Sequence, residues 1–219
     1  MHNQFTKIWI DALDFETKGG WKEDTQYVHL MGSGYLIAAD IPGVPVEDAT
    51  IKVQIPQKDT YRIWTRDRNW FRPHNPGTFN LLVNGENNGK VLGAMPSDAW
   101  VWEIAGDFQL EAGEVELALH DLTGYFGRCA SILITNDFDY TPSREIERIH
   151  KDRARIKGLQ YAVQNGGHYD VIVAGGGPGR IPMEAPKRTA GSGYQNRGGC
   201  GVSLHCGTAG AGGLRLETR

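Results

Sequence analysis

An all-β fold, an antiparallel β-sandwich, is predicted over residues 7–137 by three features. Short strand-like runs recur at close spacing, turn signals separate them, and no amphipathic helix is interleaved. The run at 7–12 alternates, with Ile8 and Ile10 on one face. Runs at 26–31, 34–39 and 50–55 follow. Tyr61-Arg62-Ile63-Trp64-Thr65 is rich in β-branched and aromatic residues and is introduced by the turn-like Gln57-Lys58-Asp59. The run at 78–83 ends in Asn84-Gly85, the strongest short hairpin signal. Runs at 90–93, 99–104, 114–120 and 129–135 complete the set, so residues 1–140 read as one sandwich domain.

The pattern changes after residue 140. Thr141-Pro142 offers an N-cap followed by proline at the first helical position. Ile146, Ile149 and Ile156 fall on one helical face, charges occupy the other, and Gly158 offers a stop. A linker helix is therefore expected within 141–165, leaning on something through a narrow apolar stripe.

The sequence His168-Tyr169-Asp170-Val171-Ile172-Val173-Ala174-Gly175-Gly176-Gly177-Pro178-Gly179 reads as a buried strand running into a glycine-rich turn. It resembles the first strand and turn of the FAD-binding Rossmann domain of flavin-dependent oxidoreductases, where glycines let backbone N–H groups approach a pyrophosphate. Gly175 and Gly177 match the first two glycines, but Arg180 stands where the third belongs. Pro182 and Pro186 interrupt the helix that should follow. Residues 166–180 thus read as a remnant, and no bound FAD is expected. Residues 181–219 are rich in glycine and arginine with little apolar periodicity. They read either as a disordered tail or as residues foreign to the fold, from a shifted frame or vector sequence. The abrupt switch inside the fingerprint favours the second.

Net charge is −3 over 219 residues, which points away from a nucleic-acid partner. No apolar run approaches the roughly 18–20 residues of a membrane span. Met1-His2-Asn3-Gln4 lacks the basic and apolar regions of a signal peptide, so location is left open: periplasmic or secreted if a signal was removed. Cys200 and Cys206 are spaced unlike zinc ligands, and with Cys129 they imply neither a disulfide framework nor a metal. A homo-oligomer through the linker helix or the tail is the assembly the sequence leaves open.

Several motifs carry a second resemblance. They are Gly19-Gly20-Trp21, Asp24-Thr25-Gln26, Met31-Gly32-Ser33, Tyr61-Arg62-Ile63-Trp64 and above all His120-Asp121-Leu122-Thr123-Gly124-Tyr125-Phe126-Gly127-Arg128-Cys129. Over residues 7–179 the chain resembles the N-terminal jelly-roll domain found ahead of bacterial FAD-dependent oxidoreductases, cut off just inside the FAD fingerprint. The opening Trp9-Ile10-Asp11-Ala12-Leu13-Asp14-Phe15 is similar to the first strand of family 6 and family 35 carbohydrate-binding modules. The resemblance implies a structural calcium held by Asp11 and Asp14. It also departs from those modules, because the last strand offers Ala130 and Ser131 where an acidic ligand is expected.

A saccharide ligand needs flat aromatic faces for its C–H surfaces and polar groups for its hydroxyls. Trp21, Trp70, Phe71, Trp100 and Tyr125 are the aromatic candidates, and Arg66, His74 and Arg128 the polar ones. Trp100 and Trp102 share a strand face, which is also what a core pair would do. Trp70 is set among charges in Arg66-Asp67-Arg68-Asn69-Trp70-Phe71-Arg72-Pro73-His74, as an exposed functional aromatic would be. The expected function is a saccharide- or glycoconjugate-binding module that accompanied a flavoenzyme. The alternative is a small glycoside hydrolase using paired carboxylates, for which Asp67 and Asp121 are the candidates. Asp121 also precedes a turn, where an aspartate commonly caps backbone N–H groups.

Overall fold

The computed structural model describes residues 5–160, together with the backbone of one short antiparallel pair, Leu204–His205 with Arg215–Leu216. The glycine-rich sequence at 166–180 lies outside the described residues.

Two antiparallel sheets form a β-sandwich of the jelly-roll kind. The larger contains β1 (Lys7–Asp11), β2 (Trp21–Asp24), β3 (Tyr35–Ala38), β5 (Asp59–Asp67), β8 (Val101–Leu110) and β10 (Arg128–Thr135). They run in the order β2-β3-β10-β5-β8, with β1 also on β10. The smaller contains β4 (Ala49–Ile55), β6 (Phe79–Val83), β7 (Glu86–Asn87) and β9 (Gly113–Asp121), ordered β4-β9-β6-β7. Side chains alternate across each strand, so each sheet offers one set of rows to the space between them. Ala49, Leu119 and Leu81 form one such row of the smaller sheet, and Ile51, Leu117 and Val83 the next. They meet Ile8, Ile10, Ile63, Ile132, Ile134 and Trp21 of the larger sheet in the main core.

The outward face of the smaller sheet carries Lys52, Gln54, Glu114 and Glu116, as a wet face should. The larger sheet is different, because its outward face is apolar too. Trp9, Leu133 and Trp64 form a cross-strand row there, and Trp102 joins them edge-on to Trp9 with ring centroids 5.2 Å apart. Helix α2 (Ile146–Lys157) covers this row with Ile149 and Ile156. The narrow stripe predicted for the linker helix therefore has its partner within the same chain.

One buried ion pair fixes the helix. Asp11 closes β1 on the same outward face, fully buried, and receives Nε and Nη2 of Arg153 at 2.8 and 2.5 Å. Lys157 Nζ adds a bond at 2.6 Å, and Trp9 Nε1 another at 3.0 Å. Burial pulls the Asp11 carboxyl upward, but the bonds and charges of Arg153 and Lys157 outweigh it and hold the group below its ordinary value.

Three elements differ from the sequence expectation. The run at 26–31 holds one helical turn, α1 (Val28–Met31), while the strand that pairs with β3 is β2. A run this short carries no decisive period, and one turn suffices to place Met31 with Tyr35 and Ala130. The run at 90–93 makes only a bridge from Leu92 to Phe79; before it, Asn87 and Asn88 side chains accept bonds from the backbone of Gly89 and Lys90 and bend the chain. Helix α2 starts at Ile146 rather than at Thr141, and Ile146 stays exposed. The Asn84-Gly85 hairpin is present, with both residues at the positive φ its turn requires.

Replacing Arg153 with Ala should cost about 3 kcal/mol, because it strips the main partner from a buried carboxylate. Denaturant unfolding measures this. The parent's own stability should fall as pH drops below the ordinary aspartate value of 3.8, since the depressed Asp11 group must then be protonated.

Candidate functional site

The loops at one end of the sandwich bring most of the predicted ligand residues together. The β5–β6 connection carries Trp70, Phe71 and His74, and the β9–β10 connection carries Tyr125 and Phe126. Trp70 Nε1 donates to the Tyr125 carbonyl at 2.9 Å, which joins the two loops. Trp70 lies 5.7 Å from Phe71 and 5.7 Å, edge-on, from Phe126. His74 stacks on Phe71 at 5.3 Å. Phe71 is 51% exposed and Tyr125 43%, so the group presents aromatic surface to solvent.

Cations flank this group. The Arg128 guanidinium sits over the Trp70 ring at 5.2 Å and donates to the Phe126 carbonyl at 2.8 Å. Partial burial lowers its pKa. Arg128 also faces Tyr35, which links the loop aromatics to a second set. There Trp100 packs edge-on to Tyr35 at 4.9 Å and to Tyr27 at 6.1 Å, and Arg68 lies over the Tyr27 ring at 4.6 Å. Asp24 accepts from the Tyr35 hydroxyl at 2.6 Å; burial raises its carboxyl, but that bond, backbone N–H groups and Arg128 bring it below the ordinary value. The surface therefore combines aromatic rings, two guanidiniums and one carboxylate.

The scaffold beneath is backbone-bonded. Asp121 is buried, and its oxygens accept from the N–H groups of Val46, Thr123 and Gly124 at 3.1, 3.2 and 3.0 Å. A Cβ on Gly124 would lie 2.3 Å from the Val44 carbonyl, and its φ is +69°, so only glycine lets these loops approach. Arg72 grips Asp98 through Nε and Nη2 at 2.8 and 3.0 Å, which ties the β5–β6 loop to the stretch before β8.

The other sequence candidates lie elsewhere. Trp21 is core, edge-on to Phe79 at 5.7 Å. Arg66 points to the outer sheet face and is buried, because it alternates in step with Trp64 beneath the helices. Asp67 faces inward, fully buried, with Thr65 Oγ1 donating to it at 2.9 Å; burial and the nearby Glu103 charge push its pKa well above the ordinary value. Asp67 and Asp121 sit on different sheets and have no bonding partner in common. Neither is presented to solvent as a hydrolytic acid or nucleophile must be. The Asp11 and Asp14 carboxylates are both engaged by cations, Asp11 by Arg153 and Lys157 and Asp14 by Lys157, so the oxygens expected for calcium already have positive partners. Among the described residues no group of three or more His, Cys, Asp or Glu is arranged to hold a metal ion.

Sequence reasoning missed Tyr27, Tyr35 and Phe126. Tyr27 and Tyr35 lay in runs read as ordinary strands. Phe126 carried one usable signal, since it adjoins Gly124 and Gly127 in a turn and adopts a positive φ that a bulky residue rarely takes.

No protein-family model matches the chain, and no curated protein matches it. Solved structures of similar fold include a native family 35 carbohydrate-binding module from Clostridium thermocellum, at 16% identity and a TM-score of 0.48, covering 59% of this chain and 97% of that one. A CBM35 from Paenibacillus barcinonensis is 17% identical with a TM-score of 0.46, covering 59% and 98%. The Podospora anserina GH26-CBM35 beta-(1,4)-mannanase is 20% identical with a TM-score of 0.48, over 63% of this chain and 30% of that one. The chain thus spans under a third of the mannanase's length. The sandwich assignment rests on this chain's own strand pairing.

Asp67→Asn should stabilise the protein at alkaline pH. A carboxyl whose folded pKa is raised contributes its full stability below the unfolded value of 3.8 and loses it as pH rises through the folded value. The amide cannot ionise, so melting temperature should depend less on pH in the variant, and thermal melts from pH 5 to pH 9 measure this.

Proposed function

We propose that this chain is a saccharide-binding module and that its ligand lies across the loop end built from Trp70, Phe71, His74, Tyr125 and Arg128. One observation carries the reading: exposed aromatic surface is contiguous with guanidinium and imidazole groups on loops that the sandwich holds rigid. Aromatic faces take up the C–H surface of a sugar ring, and the polar groups bond its hydroxyls. A purely ionic ligand would leave the aromatics unused, and a purely apolar one would take water from the Arg128 guanidinium without replacing its hydrogen bonds. The saccharide or glycoconjugate is the class that uses both.

Such a module accompanies a flavin-dependent oxidoreductase in this reading, on the resemblance carried by the sequence at 168–179. The chain itself is expected to carry no FAD, because Arg180 replaces the third glycine. A hydrolase reading has no structural support from Asp67 or Asp121.

Phe71→Ala and Trp70→Ala should each weaken saccharide binding by about 1–3 kcal/mol. Phe71→Ala should leave the melting temperature unchanged, because half of the ring is already in solvent. A glycan panel identifies the ligand, and calorimetry with a melt of each variant measures the effect. Unchanged affinity in both variants would move the site elsewhere, and a panel with no ligand would remove the proposal.

A further inference from the structure

Asp11, Ser131, Arg66 and Trp102 form one cross-strand row on the outer face of the larger sheet, beneath the helices. The two ends of this row are treated differently. At the β1 end, the carboxylates of Asp11 and Asp14 meet the cations of Arg153 and Lys157. Further along, Arg66 is only 4% exposed and forms no ion pair with any described residue. Its Nη2 donates to the Leu30 carbonyl at 3.2 Å, while Nε and Nη1 are buried with no acceptor among the described residues.

Among the described residues, the neighbours of Arg66 lack acceptors too. Ser131, directly opposite it on β10, has a buried hydroxyl without a partner. Trp102, directly opposite on β8, has a buried, unpartnered Nε1, and so has Trp64 two residues along β5. His150 of α2 has a buried, unpartnered Nε2, and its ring packs on Gly32. Burial and the charges of Arg66 and Arg153 lower the His150 pKa, which leaves one ring nitrogen as a neutral N–H donor. These groups are donors or can act as donors, and one positive charge is left over. Buried polar groups of native proteins are almost always paired, and a buried guanidinium above all needs an acceptor of opposite charge.

We propose that Arg66 Nε and Nη1, with the Ser131 hydroxyl and the N–H groups of Trp102 and His150 around them, bind a small inorganic monoanion, chloride in ordinary salt. A monoanion matches the single unmatched cation. A dianion such as sulfate would bring a second charge into a surround that includes Trp9, Leu133 and Ile149, where nothing balances it. The anion would tie β5 to β10 and to α2, two residues before Arg68 of the proposed ligand surface. This inference stands apart from the saccharide reading.

The test uses the full chain. Melting temperature is measured in sodium chloride and in sodium gluconate at matched ionic strength, for the parent and for Arg66→Met. Chloride should raise the parent's melting temperature with the logarithm of its concentration above the dissociation constant, by about 5–10 °C at a hundred times that constant. Arg66→Met should melt alike in both salts. Crystals of the parent grown in bromide provide a measurement independent of that variant's folding. An anomalous peak within hydrogen-bonding distance of Arg66 Nε supports the proposal. Equal parent melting in the two salts, a chloride effect that survives in Arg66→Met, a missing bromide peak, or a carboxylate of the chain itself on Arg66 would each overturn it.

Discussion

The Asp11–Arg153 pair is the contact on which the rest of the arrangement depends. The larger sheet is apolar on both faces, so a sandwich alone would leave Trp9, Trp64, Trp102 and Leu133 in water. Helix α2 covers them, but its apolar stripe is short, because Ile146 is exposed and only Ile149 and Ile156 reach the sheet. A stripe that narrow permits several rotations and slides. A buried carboxylate that must meet a guanidinium permits few, since every misplacement leaves a charge unpaired in an apolar setting. The pair therefore fixes where the helix sits more than it adds net stability. The same pair decides what the first strand can bind, because Arg153 and Lys157 stand where a cation would otherwise be sought.

Three buried aspartates show how differently a fold can accommodate one chemical group. Asp11 is matched by cations. Asp121 is matched by three backbone N–H groups and becomes part of the loop scaffold. Asp67 is matched by neither, and its raised pKa marks a group that burial drives toward the neutral form. All three look alike in sequence. Their roles follow from what the neighbouring elements bring to each one, which is why a count of carboxylates near aromatic residues is a poor guide to hydrolysis.

The proposed ligand surface follows from loop construction rather than from any strand. Asp121, Gly124 and the Arg72–Asp98 pair hold the loops in place from below, and Trp70 joins two of them through its indole N–H. Loops held on the sandwich keep these rings at its end, where they pack on one another and still present surface to solvent.

The sequence by itself determined the sandwich and the aromatic loop. Period-two runs, the Asn84-Gly85 turn and the absence of interleaved helices are local signals, and a strand's own pattern states which of its faces is buried. The clustering of Trp70, Phe71 and His74 was equally legible, because those residues are neighbours in the chain. Only the tertiary structure decided the fates of Trp21, Arg66, Asp67 and Asp11. Each of these depends on which sheet face its strand turns outward and on whether a distant helix lies there. Arg66 and Arg68 are two residues apart in sequence, yet one is sealed beneath helices and the other lies over the Tyr27 ring. The cover comes from α1, some thirty-six positions earlier, and from α2, some eighty later, and no local period encodes a contact between parts of the chain that meet only when it folds.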